Sequence, residues 1–275
     1  MTRCTPLGRT GEHGVRVLIT NDDGISSPGL AALVRAFDRV AEAYVVAPEH
    51  ERSATGHAVT LHKPLRASPA GIPGSAARAW STNGTPADCV ALGILDLLGA
   101  RPDVVVSGIN VGPNIGRDLT YSGTVSGAME GAIFGVPSIA VSIGTFRNPL
   151  FTIAAGFAVH LAQTILHEGL PEDTLLNVNV PNLPREEIRG VAITRQGTKR
   201  YISRLEKRTD PRGRAYYWLT GEPTPQPDEV GTDSWALAQD QISVTPIGLD
   251  LTNERLRTIL TQWPLRVPGG EPATP

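Results

Sequence analysis

Residues 15–29, VRVLITNDDGISSPG, read as a buried strand that stops in an acidic loop and restarts as a helix. Val15, Val17, Leu18 and Ile19 form a short, β-branched apolar run, the pattern of an interior strand in a sheet covered on both faces. Asn21, Asp22, Asp23 and Gly24 break that run. Ser27 and Pro28 then supply an N-cap and a first helical position, and Leu30, Leu33, Val34, Phe37 and Val40 recur at helical spacing. Adjacent carboxylates raise one another's pKa unless something positive lies between them. A turn at the carboxyl end of the strand lets Asp22 and Asp23 converge on one point, where a divalent cation would offset the repulsion. The competing reading is an Asx cluster that forms the turn and caps the helix.

Working outward, the same unit recurs. Ala43–Ala47, Val104–Val106, Pro137–Ser142 and Leu175–Val180 read as further buried strands, the third strand of the series ending at Ser107 and Gly108. Helical patterns lie between them: from Asp88 to Leu98, from Ser122 through the small-residue run to Gly135, and from Phe151 to Glu168. Alternating βα order predicts a Rossmann-like, doubly wound, mainly parallel sheet in three αβα layers. Residues 15–190 make up that domain, and the Pro/Gly/Ala-rich stretch 64–74 reads as an excursion from it. Residues 191–263 read as a smaller, β-rich C-terminal part with a charged hairpin at about 201–219, a helix at 234–241, a strand at 242–246 and a final helix at about 253–263. Residues 1–14 are expected to be a flexible extension and 264–275 a disordered tail.

The chain has 275 residues, of which 40% are hydrophobic and 19% charged, with a formal net charge of −2, so nothing pulls it generally toward nucleic acid or an anionic membrane. Cys4 and Cys89 are the only cysteines, which argues against a disulfide framework and a thiolate zinc site and makes a cytoplasmic setting the default. The longest apolar stretch, 151–166, is interrupted by His160 and Gln163 and predicts no membrane span.

In open α/β sheets ligands bind outside the carboxyl ends of the strands. The residues expected there are Asn21, Asp22 and Asp23 after the first strand, Ser53, Ala54 and Thr55 after the second, and Ser107, Gly108, Asn110, Gly112 and Asn114 after the third. Hard oxygen ligands dominate, a set suited to Mg²⁺ or Mn²⁺. Ser122, Gly123 and Thr124 open a helix, where free backbone N–H groups favour an anion such as phosphate; an ordinary Ser/Thr cap is the alternative. His50 and His57 are lone loop histidines and receive no role. Arg52 can meet a phosphate or pair with Glu49 or Glu51. Walker-type phosphate loops, G-x-G-x-x-G, G-x-S-x-G and H-E-x-x-H are all missing.

Taken together, ITNDDGISSPGL, APEHERSATGHAVT, GTPADCV, SGINVGPNIG and YSGTVSGAMEGA closely resemble the SurE (survival protein E) family of 5'/3'-nucleotidases, from about Val15 to Trp263. The resemblance implies that Asp22, Asp23, Ser53 and Asn110 hold one divalent metal ion per subunit, Mg²⁺ or Mn²⁺, with Asp22 and Asp23 catalytic. It also implies hydrolysis of nucleoside 5'- and 3'-monophosphates by a metal-activated water, with short polyphosphate as a side substrate. Ser122, Gly123, Thr124 and Asn114 are then the phosphate-binding residues. A C-terminal hairpin or helix exchanged between subunits of a homodimer or tetramer belongs to the same expectation. A non-catalytic nucleotide or metal-binding module on this scaffold is the alternative. An aspartyl-phosphate mechanism wants D-x-D rather than NDDG.

Overall fold

The computed structural model describes residues 14–198, 204–220 and 229–265. The expected mobile extension at residues 1–13, the end of the tail from residue 266 and the start of the hairpin at 201–203 lie outside the described residues. In chain order the first strand β1 (Arg16–Thr20) leads to α1 (Pro28–Phe37), β2 (Glu42–Pro48), β3 (Ala67–Ala70), β4 (Arg78–Thr82) and α2 (Pro86–Leu92), which runs on as a π-turn over Gly93–Leu97. Next come β5 (Val104–Val111), a 3₁₀ turn over Gly116–Tyr121, α3 (Gly123–Ile133), β6 (Ser138–Ile143), α4 (Phe151–Glu168) and β7 (Thr174–Val180). The chain closes with β8 (Val191–Ile193), β9 (Arg204–Thr209), β10 (Ala215–Thr220), α5 (Asp233–Ala238), β11 (Ile242–Gly248) and α6 (Glu254–Leu260).

Nine strands form one sheet in the order β3-β4-β2-β1-β5-β6-β7-β11-β8. The six from β4 to β7 are parallel, β3 is an antiparallel edge, and β11 runs antiparallel to β7 while carrying β8 parallel to itself. Val17 and Ile19 face one layer, with α1 and α4; Leu18 faces the other, with Cys89 and Val90 of α2. All three β1 side chains are fully buried, which is why the first strand reads as a continuous apolar run. Gly123, Gly127 and Gly131 of α3 lie close against the sheet side. This is the doubly wound three-layer architecture that the alternation of elements predicts.

Three details differ from the sequence reading. The excursion at 64–74 holds part of an edge pair, β3 and β4, whose strand β3 carries Pro69 at a sheet edge, where a missing N–H costs least. Strand β5 does not stop at Ser107, where its pairing with β1 ends, but runs on to Val111 through a bulge between Gly108 and Asn110, because β6 continues to supply ladder partners on the other side. Asn110 therefore stands on the strand itself. The line drawn at residue 190 does not separate two sheets, since β8 and β11 extend the main one. The charged segment does form an antiparallel hairpin, in which Ala215 pairs with Thr209 and, among the described residues, β10 pairs with β9 alone. Helix α6 has no buried residue.

One contact of α1 is tight enough to set its position. A Cβ on Gly29 would lie 2.1 Å from the Ile109 carbonyl oxygen, so only glycine lets the first turn of α1 meet the end of β5. The clash is with backbone and has no side-chain escape. Gly29→Ala is expected to destabilise the fold by about 3 kcal/mol. The check is a lower urea midpoint with an unchanged slope.

Candidate metal and phosphate site

Strand β2 lies on one side of β1 and β5 on the other, so the winding reverses between β1 and β5 and opens a crevice at their carboxyl ends. The chain enters that crevice through Thr20 and Asn21, both fully buried. Asn21 Nδ2 donates to the Gly24 carbonyl at 3.0 Å and to Ser27 Oγ at 2.9 Å, and Ser27 Oγ in turn accepts from the Leu30 N–H and caps α1. Asn21 and Ser27 thus do the turn-forming and capping work. Asp22 and Asp23 are left for something else.

The two carboxylates face different walls. Thr124 Oγ1 of α3 donates to Asp22 Oδ1 at 2.5 Å, and a Cβ on Gly123 would lie 2.6 Å from the Asp22 Cβ, so glycine is what lets the α3 terminus close on Asp22. Asp23 Oδ2 accepts a long hydrogen bond from the Val111 N–H at 3.4 Å. Its side opens on a cavity of about 550 Å³ bordered by Glu49, His50 and Glu51.

Burial holds the Asp22 carboxyl above the usual range, against the hydrogen bond from Thr124, which favours the anion. Asp23 is pushed up to about 6, first by burial, then by the charge of Asp22 and by Glu51. Two carboxylates therefore share a partly dry pocket with the exposed Glu51 at its border, and the Asn21 Oδ1 atom is buried with no hydrogen-bond partner among the described residues. Among the described residues no three His, Cys, Asp or Glu side chains converge as a ready cage. The donors present are two carboxylates with neutral oxygens around them, a set that fits a hard divalent ion retaining several waters.

The remaining sequence candidates are distributed as follows. The Arg52 N–H donates to the Asp22 carbonyl at 2.7 Å, bringing the Ser53 segment to the crevice, and Ser53 Oγ donates to Glu51 Oε1 at 2.6 Å. Arg52 pairs with neither Glu49 nor Glu51; its Nη2 donates to the Asn83 carbonyl and its Nε is buried without a partner among the described residues. Asn110 Nδ2 donates to the Gly112 carbonyl at 2.7 Å, which leaves its Oδ1 for a ligand. The Ser122 hydroxyl accepts from the Val125 N–H as the cap of α3, and the Thr124 hydroxyl is engaged by Asp22. Asn114 is a clamp: its N–H donates to Asn179, its side chain donates to Ser142, and its carbonyl accepts from Asn177 and Asn179. Those partners lie on β6 and β7, and none is a carboxylate of the site. Glu51 is the site residue the sequence reading passed over; its place two positions before Ser53 was the available signal.

A sequence model of the family described as "Survival protein SurE" matches residues 17–203. The chain is 51% identical over 249 residues to the 5'-nucleotidase SurE of Heliobacterium modesticaldum, covering 90% of this chain and 92% of that protein. It is 54% identical over 237 residues to the 5'-nucleotidase SurE of Moorella thermoacetica, covering 86% and 91%. The SurE protein crystal structure from Aquifex aeolicus superposes with a TM-score of 0.79 at 45% identity, covering 90% of this chain and 98% of that one.

A carboxyl whose folded pKa is raised holds its proton in the native state after the unfolded chain has lost it, so its contribution to stability declines as pH rises from about 4 to about 6. The metal-free protein is expected to lose thermal stability across that window. Added Mn²⁺ should raise the melting temperature more at pH 7.5 than at pH 5, and Asp23→Asn should raise the metal-free melting temperature at pH 7.5 while abolishing the Mn²⁺ increment. Calorimetric scans with and without the ion check all three.

Proposed function

The chain belongs to the SurE survival-protein family, and on that premise we propose that it is a 5'-nucleotidase, hydrolysing nucleoside monophosphates to nucleoside and phosphate. The observation that carries the reading is the Asp22–Asp23 pair at the point where the sheet reverses its winding, with Asp22 buried beside the N-terminus of α3 and Asp23 half-buried beside the end of β5. We assign Asp22, Asp23, Ser53 and Asn110 as the residues that would hold one Mg²⁺ or Mn²⁺ per subunit. A bound ion of that kind supplies Lewis acidity, lowering the pKa of a coordinated water and offsetting charge on phosphoryl oxygens.

The chain's own residues divide the rest of the work. Thr124 aims Asp22 and favours its charged form by a hydrogen bond, against the burial that disfavours it. Asp23, on the open side of the crevice, is the carboxylate placed to orient the attacking water and take its proton. Ser122, Gly123 and Thr124 bind the phosphate chiefly through the positive end of α3, because both hydroxyls already have protein partners. Asn114 supports that pocket by holding the loop after β5 against β6 and β7. Acceptance of 3'-monophosphates and of short polyphosphate belongs to the same proposal.

Self-association as a homodimer or tetramer is proposed from the uncovered C-terminal elements: Tyr217, Trp218 and Leu219 on β10, and Ile259 of α6 with Trp263 beyond it, are all exposed. A cytoplasmic setting is proposed from the cysteine usage; among the described residues no helix is long and apolar enough to cross a membrane. The test is phosphate release from nucleoside 5'- and 3'-monophosphates by chelator-stripped protein with and without Mn²⁺. Turnover should require the ion and fall at least about a hundredfold in Asp22→Asn and in Asp23→Asn. Nucleotide binding without turnover would replace the enzyme reading with that of a binding module.

A further inference from the structure

The Ser53 segment belongs to a stretch without regular structure, residues 51–66, that leaves the carboxyl end of β2. Its position is set by a few tethers. The Arg52 N–H reaches the Asp22 carbonyl, and the Gly56 N–H reaches the Tyr121 carbonyl at 3.0 Å. Ser53, Ala54 and Thr55 span the gap between those two points, Ala54 with φ +56° and Gly56 with φ +58°. Farther on, the Thr60 N–H and hydroxyl both donate to Asp88 of α2, at 2.9 and 2.6 Å, and the Ala58 carbonyl accepts from Thr85.

One tether joins a side chain of this loop to α3. His57 Nε2 lies 2.7 Å from Glu130 Oε2, with the Glu130 residue only 8% exposed and the His57 side chain 28% exposed. Helix α3 is also the element that presents Gly123 and Thr124 to Asp22. A single rigid helix is thereby fastened at its first turn to a carboxylate of the site and, farther along, to the loop that carries Ser53. Ser53 has no fixed aim of its own, since its hydroxyl is shared with the exposed Glu51.

We propose that the His57–Glu130 pair positions the Ser53 segment against Asp22 and Asp23 and so sets the affinity of the site for a divalent cation. His57 is a positioning residue in this arrangement, acting through Ser53, and the inference rests on the nucleotidase reading above. Outer partners that orient a metal ligand typically change metal affinity by about tenfold to a hundredfold when removed. The pair spans 73 positions in sequence, which is why a lone histidine in a loop gave no sign of it.

The experiment is Mn²⁺ titration of the full-length protein without substrate, by calorimetry or electron paramagnetic resonance, beside melting curves. His57→Leu should weaken Mn²⁺ about tenfold, whereas His57→Gln, which keeps an N–H donor for Glu130, should restore most of the affinity. Because His57 acts through Ser53, adding His57→Leu to Ser53→Ala should cost nothing further. If His57→Leu leaves too unstable a protein, His57→Leu with Glu130→Leu removes both partners, strands no buried carboxylate and should show the same loss. An unchanged Mn²⁺ affinity in a folded His57→Leu protein, or additive losses with Ser53→Ala, overturns the proposal. Failure of the wild-type chain to bind Mn²⁺ overturns the nucleotidase reading instead, and this inference with it.

Discussion

Everything at the crevice depends on one electrostatic constraint: two adjacent carboxylates follow the end of β1, Asp22 buried and Asp23 half-buried, with the exposed Glu51 nearby. Desolvated anions of like charge are costly, so neighbouring elements must offer positive potential or hydrogen-bond donors. The fold answers with the N-terminus of α3. Bringing it that close requires a residue without a side chain at position 123, a hydroxyl at 124 to meet Asp22, and small residues along the helix so that it can lie against the sheet. The composition of SGTVSGAMEGA thus follows from the charge at NDDG.

The close approach of α1 obeys a different rule with the same result. Its cap is supplied by Ser27 and braced by Asn21, so the turn chemistry of the acidic loop is finished before Asp22 is reached. Gly29 then lets the helix touch the backbone at Ile109. Asn110 follows at once near the end of β5, and the next residue, Val111, gives its N–H to Asp23 of the loop after β1. Packing of the helix and placement of the proposed ligand Asn110 meet at one contact.

How much of this was legible in advance depended on the range of the interaction that determines each part. Strands β1, β2, β6 and β7 announce themselves because burial on both faces forces apolar runs, and α1 because its cap and period are local. Asp22, Asp23, Ser53 and Asn110 were nameable because each lies at the end of a strand or in the loop that leaves it, and carboxyl ends of strands gather ligands in this architecture. Strand β3 was hidden because an edge strand tolerates proline and exposure. The far half of β5 was hidden because Gly108 and Asn110, turn-prone by composition, are held in the ladder by β6, a neighbour remote in sequence. Asn114 looked like a ligand by its position, yet the side chains of Ser142, Asn177 and Asn179 on β6 and β7 hold it. No local pattern encodes such a contact.

The C-terminal arm poses the complementary problem, a segment whose local pattern is clear and whose burial is missing. Strand β10 alternates Tyr216, Tyr217, Trp218 and Leu219 on both faces of a two-stranded hairpin, and β9 offers mostly charged partners, Arg208 opposite Tyr216 and Lys207 opposite Tyr217. The Lys207 ammonium lies 5.8 Å from the Tyr217 ring centre, and the stems of such residues cover part of an aromatic face. They do not cover enough, since an isolated hairpin is marginal in water and these side chains stay exposed. A third surface must supply the remaining burial if the arm is to hold its shape. The proposed exchange with a second copy of the chain meets that need with no new element, because each copy brings the same uncovered aromatic strand and the same uncovered α6 to the contact.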